Sequence, residues 1–474
     1  MKSEEWLHIP ANLDVEDMEK KAAEAGFKNF NKYKALYIID TVLKARSSQM
    51  SEMIEKNTSF AKVSSKIVKS VINDYIVYTD FLVSLGIIDT DGYYIKGEKS
   101  KGYRFSVAYS GQELNFILLE DAKLKRVIER ERAKVAVQQR KALYGYGYLT
   151  KWWYNDKLKV DIKPALEWIE EDKFRKIDEI KEEDSVSEKE INIKRAIDTA
   201  QAFKILVSTL ERKTHMCFKG LGQRFYTPLT NLKKGLRQFL TYDGKSLVEI
   251  DIKNSQPFFS IALLKSSFWK KYKTDFSKKL NLGRISKELY DGIEIEISNI
   301  IMFLESCENP FSKGFTTFKN FTDIVSKGEF YSYIETHFKN IYPNRFAITE
   351  NVKREVLRIL YMDPAEEHFP FYKPCKTFEK HFPEVYHLFK MIKSINYKLL
   401  PNILQRVESY VMLNIVCHKI NELHSDIPLF TIHDSILTTK GNEKVVEEIL
   451  KSEICALIGA EPQLGIKDYS LVLH

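Results

Sequence analysis

Residues 247–264 read LVEIDIKNSQPFFSIALL, and residues 427–442 read IPLFTIHDSILTTKGN. Ahead of the first stretch, Asp243-Gly244-Lys245 makes a turn. Leu247, Val248 and Ile250 then form a short β-run that ends at Asp251. Asn254 and Ser255 are helix N-cap types, and Pro257 suits a first helical turn. Phe258 to Leu264 continues as an apolar helix, so the stretch predicts strand, carboxylate, helix. In the second stretch Leu429, Phe430 and Ile432 run in, and Ile436, Leu437 and Thr438 run out. His433-Asp434 lies between them, which predicts a tight hairpin with the aspartate at its tip. Singly, an aspartate at a strand end is commonly a cap or turn residue, and a histidine there is commonly a packing residue. As a pair, two aspartates on neighbouring strands can hold two Mg2+ ions about 3.5–4 Å apart, which activate a hydroxyl nucleophile and stabilise a pyrophosphate leaving group.

The rest of the chain is compatible with that chemistry. It has 474 residues, enough for two or three domains, and its 44% hydrophobic and 29% charged residues exclude disordered and fibrous classes. A net charge of +8 admits an anionic partner without requiring one. The five cysteines, Cys217, Cys307, Cys375, Cys417 and Cys455, form no CxxC, so neither a zinc cluster nor a disulfide framework is expected. Reduced thiols point to the cytoplasm. The N-terminus, MKSEEWLHIP, lacks the apolar core of a signal peptide. The best apolar run, YIVYTDFLVSLGII, is broken by Asp80, so no membrane span is expected.

Charge and pattern divide the chain into three regions. Residues 1–120 carry helical patterns over 33–57 and 64–85, then turns at Asp89–Gly92 and Gly97–Gly102 around Tyr93–Ile95. Helices followed by a hairpin with a Lys-rich tip predict a small winged-helix-like module, suited to DNA or to a protein partner. Residues 121–215 form a helical, thumb-like region. Within 122–153, nine basic and two acidic residues leave a net +7, and Leu124, Ile128 and Val135 fit one helix. Basic residues interleaved with Tyr and Trp suit a phosphate backbone and stacked bases, although a solvated helix face reads the same way. The neighbouring 167–190 segment is net −6, and 178–195 is a highly charged helix or linker. Residues 216–474 hold both aspartates.

These residues resemble the palm of family A DNA polymerases and of the single-subunit phage-type RNA polymerases, over about 215–474. Gly222-Gln223-Arg224-Phe225-Tyr226-Thr227 is similar to the Gly-Arg segment before that palm, and Leu236-Arg237-Gln238-Phe239-Leu240 precedes the strand. Asp251 stands at the motif A aspartate and Asp434 at that of motif C; the His-Asp-Ser form is that of the RNA polymerase branch. The resemblance implies an α+β, right-hand fold of palm, fingers and thumb, with fingers at approximately 265–400. It implies two Mg2+ ions, or Mn2+, on Asp251 and Asp434, with the backbone carbonyl of Ile252 as a further ligand. In ENVKREVLRILYMD, Lys353, Leu357 and Tyr361 share one helix face. There Lys353 is expected to neutralise triphosphate charge and Tyr361 to stack near the templating base or the sugar. Core packing of Val356, Leu357 and Leu360 is the plainer reading of that helix. Gln405, on the helix before motif C, is expected at the primer terminus; Arg224, Arg237 and His433 are expected to contact nucleic acid.

The chain also departs from the pattern. Thr349 replaces the arginine one turn before the lysine, with Arg345, Arg354 and Arg358 as substitutes. Asn-Ser-Gln-Pro follows motif A, and Asp251 to Lys353 spans 102 residues, which implies an insertion near 265–320. Gln256 takes the place of the glutamate that crowds the ribose 2′-hydroxyl in DNA-synthesising relatives. Its bulk favours dNTPs, whereas His-Asp-Ser favours RNA synthesis. The expected activity is template-directed DNA synthesis on a primer–template, in a phage, plasmid or mobile element. An RNA-synthesising, primer-making or template-independent enzyme, and a catalytically silent nucleic-acid-binding protein, are the alternatives.

Overall fold

The computed structural model describes residues 5–55, 60–92, 100–180, 185–210, 216–270, 280–291, 293–339, 349–363 and 373–472. The chain divides into two units. One comprises Met1–Tyr144, Leu158–His215 and Asn231–Leu240; the other comprises Gly145–Lys157, Met216–Thr230 and Thr241–His474. Both mix helix and sheet.

The first unit opens with β1 (Trp6–Pro10), α1 (Val15–Glu24) and α2 (Lys32–Glu55). Then come β2 (Ala61–Lys62), α3 (Ser65–Val71), α4 (Tyr75–Ser84), β3 (Ile88–Thr90), β4 (Gly102–Phe105) and β5 (Leu114–Leu118). The continuous helix expected over 64–85 is two helices. Ile72-Asn73-Asp74 interrupts it: Ile72 turns extended, and Asp74, whose carboxylate is held by Lys34, stands at the start of the second helix. Strands β2, β4 and β3 form an antiparallel sheet in that order, and β1 pairs with β5. Most of the expected hairpin tip, 93–99, lies outside the described residues. A buried polar cluster ties β1 to α2: His8 Nδ1 lies 2.6 Å from Asp40 Oδ1, and Lys44 Nζ lies 2.5 Å from Asp40 Oδ2. Burial alone raises a carboxyl, but Lys44 and His8 hold Asp40 down to about 2.

The basic segment is helix α5 (Ala122–Ala142), whose cap, Asp121, accepts hydrogen bonds from the Lys123 and Leu124 N–H groups. Leu124 and Ile128 join the apolar core of this unit, whereas Val135 is exposed, because the helix outruns that core after its second turn. Helices α6 (Ile162–Asp178) and α7 (Val186–Leu210) follow. Part of the acidic run is neutralised locally: Lys173 and Lys204 both pair with Glu113 and Glu170, and Lys233 pairs with Asp172.

In the second unit, β6 (Cys217–Lys219) and β7 (Arg224–Tyr226) form a hairpin. The long strand β8 (Lys245–Ile252) enters through the expected turn, where Asp243 and Gly244 both have positive φ and Lys245 pairs with Tyr242. Helix α8 (Ser255–Ser260) follows directly. Helices α9 (Glu294–Cys307), α10 (Lys313–Ser326), α11 (Phe330–Lys339), α12 (Thr349–Tyr361), α13 (Lys373–His381), α14 (Pro383–Ile395) and α15 (Leu399–Ser409) come next. Phe321, Phe330, Phe378 and Phe382 pack edge-on or tilted at the centre of that group. A π-helical stretch, Tyr410–Cys417, continues α15. Strands β9 (Phe430–Ile432) and β10 (Ser435–Thr439), helix α16 (Glu443–Ile458) and strand β11 (Leu464–Asp468) complete the unit. The strands run β9-β10-β8-β11, all antiparallel, so β8 is flanked on both sides.

Candidate active site

The register of this sheet brings the two predicted aspartates together. Asp251 stands opposite Ser435 on β10, one residue from Asp434, and the Ile252 N–H donates to the Asp434 backbone carbonyl at 3.3 Å. His433 and Asp434 are the two-residue loop joining Ile432 to Ser435, as the alternation predicted. His433 takes a positive φ of 54°, a conformation glycine usually supplies in such loops, and its ring meets Tyr226 edge-on at 5.5 Å. Both aspartates are half-buried, at the end of β8 and in the loop before β10.

On its other side Asp251 faces Gly465 of β11. A Cβ at 465 would lie 2.6 Å from Asp251 Oδ1, so the carboxylate occupies the space that glycine leaves open. Gly465→Ala is therefore expected to push the carboxylate aside and to slow any reaction run through it roughly 10- to 100-fold, the scale on which small misplacements act. A steady-state rate would show it; an unchanged rate would mean the carboxylate position is immaterial.

A tier of buried polar groups lies beside these aspartates. Glu408 on α15 is 1% exposed, and its Oε1 accepts from Arg224 Nε at 3.0 Å and pairs with Arg224 Nη2 at 2.8 Å. Its Oε2 accepts a short hydrogen bond from Gln256 Nε2. Gln256 Oε1 in turn accepts from the Tyr361 hydroxyl at 2.8 Å. The chain Arg224–Glu408–Gln256–Tyr361 thus joins β7, α15, α8 and α12. Burial pushes the Glu408 carboxyl up to about 7; Arg224 and Gln256 oppose that, while the negative charge of Asp434 adds to it. Burial, chiefly, pushes the Tyr361 phenol up to about 12. The Tyr331 phenol of α11 is pushed up, first by burial and then by the charges of Tyr361 and Asp434.

Among the predicted residues, Asp251, Asp434, Ile252, Gln256, Tyr361, Arg224 and His433 meet here. Gln405 packs so closely on Gly222 that a Cβ at 222 would lie 2.7 Å from the Gln405 Cβ. Lys353 sits on the exposed face of α12, two turns before Tyr361, and Val352, Val356 and Leu360 bury the other face. Arg354 hydrogen-bonds Asn351, and Arg345 lies outside the described residues. Arg237 belongs to the first unit, where it is buried. Glu408, Tyr331 and Gly465 were not singled out beforehand. Only Glu408 left a signal: it is an acid on the apolar stripe Leu400, Leu404, Val407, Val411. Asn254 is a further outlier, 7% exposed at a φ of 56°, and its Nδ2 has no hydrogen-bond partner among the described residues.

No family model matches this chain, and no curated protein matches it. Among solved structures, it is similar to the POL domain of Pol1 from M. smegmatis in complex with DNA primer-template and dNTP. That likeness covers 74% of each chain, at 9% identity and a TM-score of 0.33. No helix among the described residues is long and apolar enough to cross a membrane.

Proposed function

We propose that this protein is a template-directed nucleotidyltransferase, a DNA polymerase with a palm of the family A type built on β8, β9, β10 and β11. The observation that carries this reading is the β8–β10 register, which sets Asp251 and Asp434 one residue apart across two neighbouring strands. The donor set suits Mg2+. It consists of hard oxygen ligands, and no group of three or more His, Cys, Asp or Glu side chains among the described residues is arranged as a metal cage. Mg2+ ordinarily takes one or two carboxylates and completes its shell with water and substrate phosphates. Asp251 and Asp434, with the Ile252 carbonyl, would hold it, and Mn2+ accepts the same donors. Two such ions, when bound, acidify a primer 3′-hydroxyl and neutralise the triphosphate.

The protein's own residues supply the rest. The exposed Lys353 ammonium meets the triphosphate charge. Gln405, Arg224 and His433 surround the primer terminus. Helix α5, with Lys123, Lys125 and Arg126 in its first turn and a half, offers a phosphate-binding surface that positions a duplex without reading it. The α2–β2–α3–α4–β3–β4 order of the first unit, with its β2-β4-β3 sheet, suits a winged-helix-like module that engages a partner.

Gln256 selects the sugar. Its amide is held at one end by Tyr361 and at the other by Glu408, so it presents fixed bulk where a ribose 2′-hydroxyl would sit. Gln256→Ala is expected to lower the preference for dNTPs over NTPs by about tenfold, the worth of a modest steric contact. The ratio of single-nucleotide incorporation efficiencies measures it, and an unchanged ratio would remove Gln256 from sugar selection. The reading as a whole is tested by extension of a labelled primer, with and without a template strand, in Mg2+ and Mn2+. Template-dependent incorporation of dNTPs is expected. No incorporation by folded, DNA-binding protein would make the palm a silent scaffold.

A further inference from the structure

The first unit contains a cavity of about 380 Å³ between α2, α3, α4 and β4. Val42, Val63 and Val68 form its apolar wall. Thr79 and Tyr103, both buried, add two hydroxyls to its lining, and the Thr79 hydroxyl donates to the Ile76 carbonyl at 2.9 Å. At its mouth stand one carboxylate, Asp80, and one ammonium, Lys101. They form no ion pair with each other or with any other described residue; Lys101 Nζ instead lies 5.8 Å from the centre of the Tyr103 ring. Two unpaired charges of opposite sign at the rim of an apolar cavity are complementary to a ligand that carries both signs beside an apolar body.

The surroundings disfavour nucleic acid here. In a helix-turn-helix arrangement the second helix enters the groove. In this chain that helix, α4, has the sequence YIVYTDFLVS and no basic residue. It exposes Ile76 (57%) and Val77 (53%), next to Asp74 and Asp80. Acids and aliphatic side chains repel or ignore a phosphate backbone.

We infer that this cavity is a binding site for a small zwitterionic molecule with an aromatic body, of the class of the aromatic amino acids. Size supports the body: a cavity of about 150 Å³ holds a single benzene ring, so this one has room for a bicyclic ring and a short polar tail. The ring lies on the valines, the ligand's ammonium meets Asp80, and its carboxylate meets Lys101. This inference does not depend on the polymerase reading.

The test is isothermal titration calorimetry of the full chain with L-tryptophan, N-acetyl-L-tryptophanamide and indole. Binding of L-tryptophan with one-to-one stoichiometry is expected. The capped amide and indole, which lack the two charges, should bind at least tenfold more weakly. Asp80→Asn and Lys101→Gln, both changes at the cavity mouth, should each weaken L-tryptophan at least tenfold while the melting curve followed by circular dichroism stays in place. Three results would overturn the inference. One is no heat with L-tryptophan at millimolar concentration. The second is equal binding of the capped amide or indole, which would make the cavity a socket for a partner's side chain or for any apolar solute. The third is L-tryptophan affinity unchanged in both variants.

Discussion

Asp434→Asn is expected to lower primer extension by roughly 10³-fold or more while leaving the protein folded. The substitution keeps the size of the side chain and removes its negative charge, and with it half of the paired carboxylate donors. Metal-centred stabilisation of a developing phosphoryl charge is worth several kcal/mol, and each 1.36 kcal/mol is a factor of ten in rate. Asp251→Asn should behave alike. The double variant should be little worse than either single one, because residues that act as a unit are not additive. The measurement is single-turnover incorporation of one dNTP on a primer–template, alongside thermal melting of each variant. If Asp434→Asn retains activity within about tenfold of the parent, the two-carboxylate mechanism is wrong for this chain. Multiplying losses in the double variant would instead mean that the two carboxylates serve separate steps.

The second large effect is on stability. Glu408→Ala should destabilise the protein by about 3–5 kcal/mol, the usual result of removing one partner of a buried ion pair. It strands the Arg224 guanidinium, which is 20% exposed, and the Gln256 amide loses its acceptor. Urea unfolding reads this out as a drop in midpoint without a change in slope. Glu408→Gln separates charge from packing through pH. The Glu408 carboxyl lies at about 7 in the folded chain, against an ordinary value of 4.5. Its folded pKa is raised, so between those values the native state binds the proton and the unfolded state has released it. The contribution of this group is therefore complete below about 4.5 and is lost as pH rises through 7. The stability of the parent should accordingly fall relative to Glu408→Gln across that window and run parallel to it below the window. A difference that does not change with pH would mean that Glu408 is ionised throughout.

Much of the site was legible because its pieces are local. The apolar run of β8, the turn at Asp243-Gly244 and the alternation around His433-Asp434 are short-range patterns, and the backbone follows each of them. The spacing of four that put Lys353, Leu357 and Tyr361 on one helix face is equally local. Errors arose where a pattern needed a neighbour to interpret it. Val135 fits the helical spacing of Leu124 and Ile128, but there is no core beneath it. The 64–85 pattern is compatible with one helix, yet the chain turns extended at Ile72 and the second helix begins only at Tyr75.

What the sequence by itself determined is the local course of β8 and of the His433-Asp434 hairpin, each carrying one aspartate, since side-chain period and turn chemistry act within a few residues. Only the tertiary structure decided which elements meet. Gly465 lies 214 positions after Asp251 in the chain, yet the β8–β11 register makes it the floor under that carboxylate. Arg224 and Glu408 are 184 residues apart, Gln256 and Glu408 152, and Gln256 and Tyr361 105. No periodicity spans such distances. A buried carboxylate is tolerable only where a guanidinium and an amide arrive from other elements to satisfy it, so Glu408 acquires its role at the moment the sheet and the helices pack.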